Sequence, residues 1–106
     1  MLPSVDEFVQ TDEYQKGDVA LLEAWTENPQ GQAADPTDMF LDVRKPDGSK
    51  VHYTEGWAHD EGSGYFSMAL PLDQHGDWWG EWRATGQNAT VLPFHLHVLR
   101  SMVDTP

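Results

Sequence analysis

The chain has 106 residues, with 18 Asp and Glu against six Lys and Arg and a formal net charge of −12. A field of that sign repels nucleic acid phosphates and the anionic face of a membrane, which argues against both as partners and favours solubility, a cationic partner surface or a salty environment that screens the repulsion. The length supplies one domain, five Trp give its core large side chains, and the lack of Cys removes disulfides, thiolate nucleophiles and cysteine-held metals.

Residues 1–16 form an acidic lead-in whose only aromatics are Phe8 and Tyr14, read as an arm or a short edge strand. Its start lacks the basic residues and apolar run of a secretory signal, so the expectation is synthesis in the cytosol. From Gly17 the pattern changes. Ala20, Leu22 and Ala24 share one parity, while Val19, Leu21, Glu23 and Trp25 share the other, as in a strand. Residues 28–37 hold Pro29, Gly31 and Pro36 and read as a loop. Met39, Leu41 and Val43 then alternate with polar neighbours up to the turn signal Pro46-Asp47-Gly48, and a return strand carries Val51 and Tyr53. A second turn cluster, Asp60 to Gly64, precedes the strongest alternation in the chain: Phe66, Met68, Leu70 and Leu72 on one strand, Trp78, Gly80 and Trp82 on the next. A last strand alternates Phe94, Leu96 and Val98 with His95 and His97, and residues 101–106 form a tail. The expectation is an all-β domain over residues 17–100, an immunoglobulin-like antiparallel β-sandwich of about seven strands.

Several motifs in order carry a resemblance: Gly17-Asp18-Val19, Asp35-Pro36-Thr37, Leu41 to Gly48, Gly64-Tyr65-Phe66, Leu72-Asp73, Gly76-Asp77-Trp78 and Thr85-Gly86. In this order and spacing the chain resembles the small immunoglobulin-like structural proteins of tailed bacteriophages, over roughly residues 17–100. The resemblance implies a non-enzymatic virion protein made in the host cytoplasm. Its partner would be the major capsid protein or a connector protein, with self-association a further option. Trp25, Trp79 and the strong acidity depart from that pattern.

The residues offer little catalytic chemistry. There is no Gly-x-Ser-x-Gly elbow, phosphate loop or His-Glu-x-x-His helix, and nothing selects a catalytic carboxylate pair from eighteen candidates. No cofactor is implied. His95 and His97 project from one face and Glu81 could join them around a metal, but a polar outer face is the preferred reading, so no metal site is assigned. The acidic pairs Asp6-Glu7, Asp12-Glu13 and Asp60-Glu61 lack calcium-loop spacing and read as solvated charge. The sequon Asn88-Ala89-Thr90 is read as coincidental.

Parity turns Trp79, Glu81 and Arg83 outward, and pairing of the last two strands would bring His95 and His97 beside Trp79. These five residues, with Phe8 and Tyr14 of the arm, are the candidate partner-binding set. The competing reading lays Trp79 over Arg83 in a cation–π contact. A carbohydrate-binding or adhesion module, with a sugar stacked on Trp79, is the alternative function.

Overall fold

Alternation of apolar and polar side chains builds both sheets. The computed structural model describes residues 11–101. Among them it has eight strands and no helix: β1 (Thr11–Gln15), β2 (Val19–Trp25), β3 (Met39–Arg44), β4 (Lys50–Tyr53), β5 (Ala58–His59), β6 (Tyr65–Pro71), β7 (Gly76–Ala84) and β8 (Thr90–Leu99).

One sheet runs β1-β8-β7-β3-β4 and the other β2-β6-β5. Only β1 on β8 is parallel; the other pairings are antiparallel. This is the strand order of an immunoglobulin-like sandwich, five strands facing three. The strand not read from the sequence is β5, and β1 falls in the stretch read as an arm or a short edge strand. β5 is two residues bonded to Ser67 and Phe66, and β1 is an acidic segment without apolar alternation that lies along β8. Neither carries a period that a sequence pattern could register.

Inward parity holds throughout the longer strands. Ala20, Leu22 and Ala24 from β2, with Phe66 and Leu70 from β6, meet Leu41 and Val43 from β3, Trp78 and Trp82 from β7, and Leu96 and Val98 from β8. With no disulfide to join the layers, aromatic packing does so. Trp57 lies edge-on against Phe66 of one sheet (5.7 Å separates it from Trp82 of the other). Such pairs add about 0.5–1.5 kcal/mol each beyond the area they bury. The indole N–H of Trp78, fully buried, donates to the Gln74 carbonyl at 3.0 Å, so the core holds no unpaired donor there.

Gly80 is the gap in the inward row of β7. A Cβ at this position would sit 2.2 Å from the Phe94 ring and 2.8 Å from the Asp42 carbonyl oxygen. Phe94 fills the space that the missing side chain leaves, which brings β8 tight onto β7.

At one end of the sandwich, loops are tied by polar contacts. Thr26, 2% exposed, donates to the Ala34 and Gly64 carbonyls. The Asp35 carboxylate accepts the backbone N–H groups of Gly62 and Gly64 at 2.7 and 2.8 Å. His59 stands between Asp35 Oδ2 (3.1 Å) and the Tyr65 carbonyl (2.7 Å), with its ring stacked on Phe66 at 4.0 Å. Both ring nitrogens thus face acceptors, and only the imidazolium can donate to both. The Tyr65 carbonyl, helped by Asp35 and Asp60, raises the His59 pKa against the opposing effect of burial. Burial would raise that of Asp35, but the two backbone N–H groups and His59 outweigh it and hold the carboxyl below its ordinary range. Asn88 donates to the Asp35 carbonyl, and a Cβ on Gly86 would strike Thr37 Oγ1. The Asp35-Pro36-Thr37, Gly64-Tyr65-Phe66 and Thr85-Gly86 motifs therefore converge on one loop junction.

Candidate functional site

The register of the five-stranded sheet lines up its outward side chains in rungs. Lys50, Arg44, Trp79 and His95 are successive cross-strand neighbours on β4, β3, β7 and β8. The adjacent rung is His52, Asp42, Glu81 and Pro93. Between these two rungs, on the β3 and β4 side of Trp79, lies a groove of about 640 Å³. Arg44, Lys50, His52, Asp42, Glu81 and Trp79 wall it, and the inward-facing Val43, Val51 and Gly80 contribute its floor. Its size is within the roughly 300–1,000 Å³ of small-ligand pockets.

Trp79 and His95 are stacked, ring centroids 3.9 Å apart and planes inclined by 13°. This pairing of outward β7 and β8 residues is the one expected from parity. The cation–π contact with Arg83 is not what forms: the guanidinium turns to Glu81, two residues away on the same face, and His95 takes the Trp79 ring instead. Glu81, so engaged, stays apart from His95 and His97. Those two rings share a different partner, with His95 Nε2 at 2.9 Å and His97 Nδ1 at 3.0 Å from Asp77 Oδ1. Hydrogen bonds from His97 and His95 lower the Asp77 pKa. Asp77 thereby fixes the His95 ring from below while Trp79 covers its face, leaving the His95 side chain only 13% exposed. Among the described residues, no group of three or more His, Asp or Glu is arranged to hold a metal ion.

The structure thus gathers Trp79, Glu81, Arg83, His95 and His97 on one face. Tyr14 is elsewhere. It sits on β1 opposite Val98 and packs against the core cluster, because outward parity on that strand falls to Glu13. Burial there, with Asp12 and Asp18 nearby, raises its pKa. Phe8 lies outside the described residues.

Sequence parity alone missed Asp42, Arg44, Lys50 and His52. Their signal was available in Arg44-Lys45-Pro46-Asp47-Gly48-Ser49-Lys50: a hairpin closed by the Lys45 N–H to Ser49 carbonyl bond places Arg44 and Lys50 opposite each other. His52 pairs with Asp42 and stacks on Phe40, 5.4 Å between centroids. A second outward strip, Val19, Leu21 and Trp25 on β2, is 58–60% exposed, with Trp25 leaning on Tyr65 and the Tyr65 hydroxyl donating to Glu23.

No protein-family model matches this chain, and no curated protein does. Among solved structures, the chain is similar to the crystal structure of the ZIG-8 IG1 homodimer. Identity is 14%, coverage is 88% of this chain and 81% of that one, and the TM-score is 0.44.

Proposed function

We propose that this chain is a non-catalytic binding module that docks on a protein lattice through the outer face of its five-stranded sheet. The observation that carries this reading is the groove walled by Trp79 and charged side chains, on a face where Trp79 and His95 are held rigid by stacking and by Asp77. Trp and Arg beside a preformed concavity are the residue types that dominate protein interfaces, and a ring already fixed in place loses little entropy on docking. The resemblance of the ordered motifs to small immunoglobulin-like phage proteins supports a particular lattice: the capsid or the connector of a tailed bacteriophage. With Tyr14 turned into the sandwich, docking rests on the sheet face, and the arm enters this reading only through residues before Thr11.

Mass spectrometry of particles purified by density gradient from the producing culture tests the assignment. The chain is expected in a fixed ratio to the major capsid protein, and less of it on particles made with Trp79→Ala. Purified particles that contain none of it would overturn the virion role.

A second reading draws on the same groove. One face of the Trp79 ring is covered by His95, but its other side borders Asp42 and Glu81, which could accept hydrogen bonds from a sugar stacked on the indole. Glycan-array binding that Trp79→Ala abolishes would favour this reading over the lattice.

A further inference from the structure

The rung Lys50, Arg44, Trp79, His95 contains no carboxylate, in a molecule with 18 of them. Three of the six Lys and Arg, namely Arg44, Lys50 and Arg83, stand on this one face. The nearby acids are already engaged: Asp42 by His52, Glu81 by Arg83, and Asp77 by His95 and His97. Arg44 and Lys50 are different. They lie directly opposite each other on β3 and β4, both exposed, and neither side chain has an ion-pair or hydrogen-bond partner among the described residues. Like charges directly opposite each other on neighbouring strands are destabilising.

We infer that Arg44 and Lys50 form an anion-recognition site, and that the groove receives a short acidic segment of the partner protein. This rests on the docking reading above and reverses the expectation drawn from net charge, which pointed to a cationic partner surface. Distance explains the reversal. At physiological salt the field decays over about 8 Å, which screens the remote acidic surface; within the groove the Asp42 and Glu81 carboxylates already face His52 and Arg83, so Arg44 and Lys50 are the charges left for a seated carboxylate. The Arg44 guanidinium can grip a carboxylate through two parallel N–H bonds, Lys50 adds a point charge beside it, and Trp79 takes the aliphatic or aromatic stem. A long polyanion is a poorer occupant. Nucleic acid brings one charge per about 1.7 Å of duplex and would extend beyond the two cations over a surface rich in carboxylates.

The probe is an acetylated, amidated hexapeptide of alternating Glu and Phe, with a Lys and Phe counterpart, titrated into ¹⁵N-labelled protein. The acidic peptide is expected to shift amide signals of residues 42–44, 50–52 and 79–81, and Arg44→Glu with Lys50→Glu to weaken it about tenfold or more. Both positions are exposed and unpaired, so the double variant should melt close to the wild type. Preference for the Lys peptide at these residues, or unchanged acidic-peptide affinity in the double variant, would overturn the inference. Particle occupancy separates it from the docking reading. If Trp79→Ala lowers occupancy and the charge reversal does not, the face docks but selects no anion. If neither lowers it, the face does not dock.

Discussion

Replacing Gly80 by Ala tests how tightly the floor of the groove is coupled to the core. Gly80 has no left-handed backbone angle, so strain is not the issue; space is. The added methyl would lie 2.2 and 2.6 Å from two Phe94 ring atoms and 2.8 Å from the Asp42 carbonyl oxygen. The ring could swing aside, but it packs against the core cluster, and the carbonyl belongs to a strand hydrogen-bonded in register with β7. Overpacking of this kind costs about 1–3 kcal/mol, and with one immovable backbone neighbour the upper half of that range is expected. For a domain of this size that corresponds to a fall of roughly 10–20 °C in Tm, readable by thermal denaturation followed by circular dichroism. A double-mutant cycle identifies the cause. In a Phe94→Leu background the smaller side chain should absorb the methyl, so Gly80→Ala should cost at least about 1 kcal/mol less than in the wild type. A Gly80→Ala protein melting within about 2 °C of wild type, or strictly additive costs, would refute the packing argument.

The loop junction predicts a pH dependence. The folded His59 pKa is raised above its ordinary 6.5, so its stabilisation is complete below that value and is lost as pH rises through the folded pKa. The folded Asp35 pKa is lowered from 3.8, so its contribution is present above that value and is lost as pH falls through the folded pKa. Urea titrations across pH should therefore place this junction's greatest contribution between about pH 4 and 6.5, and His59→Phe should flatten the alkaline limb. Asp35→Ala, which strips acceptors from Gly62, Gly64 and His59, should cost about 2–3 kcal/mol in the same assay. Asp77→Asn should change stability by less than about 1 kcal/mol, because the site is surface-exposed. It should nonetheless release the His95 ring, seen by NMR as a reduced ring-current shift from Trp79.

Period-two alternation was enough to read the sandwich and most of its core. Phe66, Leu70, Leu72, Trp78, Trp82, Leu96 and Val98 are all buried where parity put them, and Trp79 and His95 meet outside. Burial on one side of a strand leaves a mark on the local sequence, because each alternate residue must be apolar. The loop motifs are legible for a related reason. Gly64 sits tight against the Thr26 and Ala34 backbone and Gly86 against the Thr37 side chain, and Asp35 ties loops together, so these residues record architecture rather than a binding partner.

What the chain could not announce locally depends on pairs distant along it. Thr11 beside His95, Asp35 beside His59, and Trp57 against Trp82 are separated by dozens of residues and leave no period behind. Charge follows this only in part. Composition described an acidic molecule and the local hairpin set Arg44 opposite Lys50, while the register of β7 on β3 placed that pair beside Trp79 and Glu81. Residue types determine which faces turn inward, since hydrophobic burial acts on each side chain by itself. Only the fold decides which outward charges become neighbours, since Coulomb interactions depend on separation in space.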